Sequence, residues 1–199
     1  MNKFNILSTR INTLTKLNKG FTIIELMVTV SILAILVTIA TPNLNEFLVK
    51  MRVDNELSEM HRLLLTARNS AVNTGLNTTV CPLNEGLTCT NNWEGTISVF
   101  TNTTATTNIM DGTDILIKIK EPVRANDRLE LAAAGAIIYS PSGRTLNNIA
   151  NQLIYCPNGD LQKSNGIDIS ILGRAYIGTE NSSSQYVDRS NNVFSCAVL

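Results

Sequence analysis

The stretch FTIIELMVTVSILAILVTIA, from Phe21 to Ala40, constrains this chain more than any other feature, because Glu25 is its only ionisable side chain. As a helix rising about 1.5 Å per residue it would be about 30 Å long, the thickness of a bilayer core. The residues before it carry Lys3, Arg10, Lys16 and Lys19 and no acid, so the remainder holds 12 bases against 16 acids, a formal net of −4. The positive-inside rule then predicts an N-terminus in the cytoplasm and export of everything after Ala40. Over the whole chain 16 basic residues balance 16 acidic ones, which argues against a protein that coats nucleic acid by bulk electrostatics. A hydrophobic content of 44% rules out general disorder.

A cleaved secretory signal is the simpler alternative, with Thr38-Ile39-Ala40 as a loose cleavage site. The apolar run exceeds the usual core of about 7 to 15 residues in such signals. A carboxylate five residues into it also costs roughly 2.5 to 3.5 kcal/mol on insertion scales. Glu25 therefore needs a partner, and is a functional candidate.

Gly20-Phe21-Thr22-Ile23-Ile24-Glu25-Leu26, followed by the apolar run and Pro42, resembles the class III signal of type IV pilins and type II secretion pseudopilins. The resemblance implies that a prepilin peptidase cuts between Gly20 and Phe21 and methylates the new amine of Phe21. It implies that Glu25 pairs with the N-terminal amine of a neighbouring subunit in a filament, and that Pro42 marks a segment that unwinds on assembly. The pairing is physically sound, since a buried carboxylate and a buried ammonium offset each other's desolvation only together. The expected organisation is a leader over 1–20, a transmembrane and filament-core helix over 21–41, its amphipathic half over 42–75, and an exported β-rich domain over 76–199.

After Pro42, residues Leu44, Phe47, Met51, Leu57, Met60, Leu64, Ala67 and Ala71 recur mostly at three- or four-residue steps, the pattern of an amphipathic helix with one core-facing stripe. Glycine at 75 is the expected stop. Pro42 removes one backbone donor inside the combined helix and is expected to kink or locally melt it. Beyond Gly75 the period falls toward two, and strands are predicted near Asn77 to Cys81, Gly95 to Thr101, Asp114 to Lys120, Leu129 to Ser140, Asn151 to Cys156, Asp168 to Ile177 and Val193 to Val198. The class is α+β, a long helix packed on antiparallel sheet. No internal repeat stands out.

Ala67-Arg68-Asn69-Ser70-Ala71, Thr79-Val80-Cys81, the span from Trp93 to Phe100, Tyr139-Ser140-Pro141-Ser142-Gly143-Arg144 and Ile171-Leu172-Gly173-Arg174 follow the order of features in the FimT/GspH branch of minor pilins and minor pseudopilins, which this chain resembles over nearly its whole mature length. The resemblance implies a structural subunit held in the inner membrane, then at the surface in a pilus. Its partners would be other minor and major pilins and the prepilin peptidase. The rival roles are the H-type pseudopilin of type II secretion and a DNA-binding competence pilin.

Cys81, Cys89, Cys156 and Cys196 lie on the exported side, where disulfides persist. Three pairings are open. The short loop between Cys81 and Cys89, and the strand-end positions of Cys156 and Cys196, favour those two bonds. No Cys-x-x-Cys or cysteine–histidine cluster suggests zinc, no cofactor is implied, and the one histidine, His61, reads as a helix-surface residue. With no second histidine, nucleophile elbow or phosphate loop, no enzyme is expected. In FimT-type pilins a glycine-arginine-x-arginine motif is associated with DNA, but here Gly173-Arg174-Ala175 is followed by Tyr176. Gly173 is expected as a bulge in a strand, and Lys163, Arg174 and Arg189 as at most a small basic patch whose DNA binding would be weak and salt-labile. Asparagine triplets at Asn77, Asn102 and Asn181 read as chance in so Asn- and Thr-rich a chain.

Overall fold

The computed structural model describes residues 20–133, 135–146, 150–159 and 161–196. The leader expected over 1–20 therefore lies outside the described residues except for Gly20, as does the end of the expected tail strand. The chain divides after Leu44 into two units.

The first unit is dominated by the start of α1, Ile23–Thr74. Its side chains from Ile23 to Thr38 are exposed all round, and Phe21 before them is 80% exposed. Among the described residues no helix is long and apolar enough to cross a membrane. The described side chains of the apolar run stop at Thr38, short of its end at Ala40. The helix continues through position 42 without interruption, so the expected local melting at Pro42 is not seen. One missing N–H removes a single bond from a ladder whose flanking bonds remain.

The second unit packs the rest of α1 on two antiparallel four-stranded sheets. The strands are β1 (Asn77–Pro82), β2 (Ile97–Asn102), β3 (Ile115–Lys120), β4 (Arg128–Leu131), β5 (Ile137–Tyr139), β6 (Asn151–Cys156), β7 (Asn165–Ile169), β8 (Ala175–Ile177), β9 (Thr179–Glu180) and β10 (Tyr186–Val187). One sheet has the order β3-β2-β1-β5 and the other β4-β6-β7-β8, with β9 and β10 as a separate hairpin. The core stripe of α1 is Val53, Leu57, Met60, Leu64, Ala67 and Ala71, with Leu63 beside it. It meets Val80, Val99 and Tyr139 from the first sheet and Leu153, Tyr155, Ile167 and Ile169 from the second.

Four expectations are corrected here. Leu44, Phe47 and Met51 are exposed, because the step from Met51 to Leu57 breaks the three-four spacing and the buried stripe runs through Val53 instead. The single strand expected from Leu129 to Ser140 is two, β4 and β5, in different sheets, separated by a bend that contains Gly135 at φ 112°. The strand expected from Asp168 to Ile177 is the hairpin of β7 and β8. The expected tail strand is reduced, among the described residues, to one bridge between Val187 and Val193.

Candidate assembly site

Thr22 begins α1 as its cap. The Glu25 backbone N–H donates to Thr22 Oγ1 at 3.2 Å, and the Leu26 N–H to the Thr22 carbonyl at 3.1 Å. Thr-Ile-Ile-Glu has the spacing of a capping box, and a carboxylate in the first helical turn is favoured by the helix dipole. Glu25 is exposed, one turn from Phe21. The side chain of Pro42 lies outside the described residues.

Further along, two five-residue segments, Ser140-Pro141-Ser142-Gly143-Arg144 and Ser170-Ile171-Leu172-Gly173-Arg174, form the same turn twice. In each the glycine N–H donates to the serine carbonyl at 2.8 Å, and the serine N–H donates to the arginine carbonyl at 2.9 Å. The glycines sit at φ 74° and φ 73°, left-handed positions that close a short hairpin and that a side chain would strain. Gly173 is thus a turn residue, and the expected bulge within a strand is replaced by a reversal of the chain.

The two turns are stacked. Thr145 donates its N–H and its Oγ1 hydroxyl to the Ile171 carbonyl, each at 3.2 Å. A Cβ on Gly173 would overlap the Gly143 carbonyl oxygen. Arg68, from α1, donates its Nε–H to that same oxygen at 2.8 Å. Helix, first sheet and second sheet are therefore joined at one peptide group. The shared Ser-x-x-Gly-Arg pattern, from Ser140 to Arg144 and from Ser170 to Arg174, is the sequence signal that could have revealed the pair.

Buried polar contacts fix α1 elsewhere. Asp127, itself buried, accepts from the Tyr155 hydroxyl at 2.6 Å and the Asn158 N–H at 2.8 Å, and pairs with Arg52 at 3.4 Å. Burial first, then the hydrogen bond to Asp127 and its negative charge, push the Tyr155 phenol well above the usual tyrosine range. Lys120, at the end of β3, is buried against Glu56 of α1 and donates to the Glu121 carbonyl at 3.0 Å. His61 Nε2 meets the Ala175 carbonyl at 3.2 Å, tying α1 to β8.

Two disulfides join Cys81 to Cys89 and Cys156 to Cys196, with Cα–Cα distances of 5.5 and 6.4 Å. The first closes a loop whose Cys89 N–H donates to the Asn108 carbonyl at 2.8 Å. The second ends a tail in which Phe194 packs over Gly166 and Gly178 and accepts the Ser164 hydroxyl at 2.7 Å. Among the described residues no group of three or more His, Cys, Asp or Glu is placed to hold a metal ion.

The three candidate DNA-binding cations are in different company. Arg189 pairs with Asp168 at 2.7 Å and lies 4.1 Å over the Tyr176 ring, the position at which the resembled motif has its second arginine. Lys163 lines a cleft with Glu46, Lys50, Glu180 and Tyr186. Arg174 is exposed where the second turn enters β8.

A family model described as "Type II transport protein GspH" matches residues 56–173, and one described as "Prokaryotic N-terminal methylation motif" matches residues 15–41. The type IV major fimbrial protein FimA of Dichelobacter nodosus is 34% identical over 117 residues, covering 59% of this chain and 70% of its own. Two crystal forms of the type IV minor pilin FimU of Pseudomonas aeruginosa share the fold at a TM-score of 0.51, with 17% and 16% identity. Each match covers 67% of this chain, and 91% and 95% of the FimU chains.

Proposed function

This chain belongs to the GspH family, whose members are structural pilin-type subunits, and from that premise we propose that it is a minor pilin that primes assembly of a type IV pilus or sits at its tip. The observation that carries the reading is the N-terminal arrangement: Gly20, then Phe21, then a capped helix with one carboxylate, Glu25, in its first turn and apolar residues after it. An amine created at Phe21 and a carboxylate one turn away on a neighbouring subunit would neutralise each other in a filament core, while neither is tolerable there alone. The fimbrial relative and the shared fold with a minor pilin support the same reading.

In this account residues 1–20 are removed at the cytoplasmic face, the helix from Phe21 holds the subunit in the inner membrane, and the β domain faces the periplasm until incorporation. Deleting the gene and counting surface pili tests it. Loss of pili with secretion intact is the expected result.

The matching family's description, a type II transport protein, favours one second reading, the H-type minor pseudopilin. The same deletion separates the two, because a pseudopilin mutant keeps its pili and loses secretion of type II substrates. For a competence pilin the structure offers less support, since Asp168 already neutralises Arg189.

A further inference from the structure

We propose that the open edge of β3 docks one extended segment of a partner protein, a strand of β-branched and aliphatic residues with a carboxylate placed to face Lys118. This contact goes beyond the filament-subunit role and does not depend on it.

The first sheet ends at β3, which pairs with β2 alone. In an antiparallel ladder alternate residues turn their N–H and C=O groups to opposite sides, so half of those on a terminal strand point outward. Among the described residues no hydrogen bond from another segment reaches the outward groups from Leu116 to Ile119. The other sheet ends are blunted. On β4, Arg128 and Glu130 pair with each other; β5 is three residues long and bridged from Tyr139 to Thr145; β8 is also three residues long. In contrast β3 is six residues, Ile-Leu-Ile-Lys-Ile-Lys, with Ile115, Leu116 and Ile119 62%, 42% and 48% exposed. A long apolar edge left open is a template for another strand, which sheet proteins otherwise shield.

The register tells what such a strand must carry. Leu116 lies opposite Phe100 and Ile119 opposite Ser98, while Lys118 and Lys120 lie opposite Val99 and Ile97, which face the core under α1. Leu116 and Ile119 therefore stand on the sheet face turned away from α1, and the two lysines on the other. Lys120 is taken up by Glu56. Lys118 is exposed and has no ion-pair partner among the described residues. An incoming strand meets aliphatic side chains on one face and a single unpaired cation on the other, so apolar residues on one side and a carboxylate on the other complement it. Lysine on an edge deters like strands: Ile115–Lys120 holds no acid, so two β3 edges would bring their lysines together without a counter-charge. The same lysine admits a strand that carries the carboxylate. One open edge accepts one strand per subunit.

The test uses the full chain in detergent and two synthetic peptides capped at both ends, Val-Thr-Val-Glu-Val-Thr-Val and its counterpart with lysine at the centre. The glutamate peptide should slow amide exchange in residues 115–120, leave β1 and β6 unchanged, and bind about two- to fivefold more tightly than the lysine peptide. In Lys118→Glu, a change at an exposed position, the order of the two peptides should reverse. Proline in place of the two valines beside the charge should abolish binding, because it removes backbone donors that a ladder needs. No protection of residues 115–120 at about 1 mM peptide overturns the proposal. So does equal binding of the two charged peptides, or a preference that Lys118→Glu leaves unchanged. Chains carrying Ile119→Cys that form disulfide dimers more readily than chains carrying Leu172→Cys, an exposed turn position, also overturn it, since the edge would then belong to a second copy.

Discussion

Gly173 rests its bare Cα against the carbonyl oxygen of Gly143, the oxygen that also accepts the Arg68 Nε–H at 2.8 Å. No other residue type fits at 173. Gly173→Ala must displace the first turn and also adopt φ 73°, and should destabilise the domain by about 2 to 4 kcal/mol. Gly112→Ala, where an added Cβ meets nothing within 4 Å, should change stability by less than about 0.5 kcal/mol. Denaturant midpoints of the two variants check this, and equal midpoints would show that the stacked turns do not hold the sheets together.

Asp127 is the second point at which α1 is fixed. Asp127→Ala leaves the Tyr155 hydroxyl and the Asn158 N–H without their acceptor and Arg52 without its counter-charge. The expected loss is about 3 to 5 kcal/mol, from the groups stranded as much as from the contacts removed. Equilibrium unfolding of the purified protein measures it, with Lys118→Ala, an exposed strand position, as the near-neutral comparison.

The bond from Cys156 to Cys196 spans a sequence separation of 40 and should contribute about 2 to 4 kcal/mol, mainly by restricting the unfolded chain. The bond from Cys81 to Cys89, with a separation of 8, should contribute less. In Cys196→Ser the Ser164 hydroxyl still holds Phe194, so amide exchange should rise from Val193 to Cys196 and stay low in α1. Uniform acceleration across the domain would mean the tail bond supports the whole core.

How much of this was readable from sequence varied with the kind of signal. The end of α1 was legible because Gly75 supplies a left-handed stop, and the helix does end at Thr74. The strands β1, β2, β3 and β6 are short runs rich in Ile, Val and Thr between turn-rich flanks, and the sequence places them to within two residues. The run Leu131-Ala-Ala-Ala-Gly135 hid the break between β4 and β5, because alanines carry no turn chemistry and one glycine was the sole mark. Ile171 and Leu172 disguised a turn as strand, since their side chains are apolar yet stand in solvent. Asp127 and Lys120 gave no warning: a charge becomes structural only when remote residues such as Tyr155 and Glu56 close around it.

Acid should loosen the C-terminal loop only at low pH. Burial tends to raise the Asp188 pKa, but the N–H groups of Asn192 and Ser190 and the Gln152 amide outweigh it and hold the carboxyl below the usual 3.8. A carboxyl depressed on folding contributes stability above its unfolded pKa and loses it as pH falls through the folded one. The loop from Asp188 to Asn192 should therefore be fully ordered at neutral pH and loosen only below about pH 4. Amide shifts of Ser190 and Asn192 followed from pH 6 to pH 2 report it; a transition above pH 5 would assign the loop's order to another group.

The central claim is that this is a processed filament subunit, and the intact mass of the protein isolated from membranes or sheared filaments tests it most directly. The account predicts a chain that begins at N-methylated Phe21 and retains the whole apolar run, with Gly20→Leu blocking that cut and Glu25→Ala leaving it in place while reducing incorporation into filaments. A mature chain that begins near Thr41, or one that keeps residues 1–20 in the filament, would contradict it.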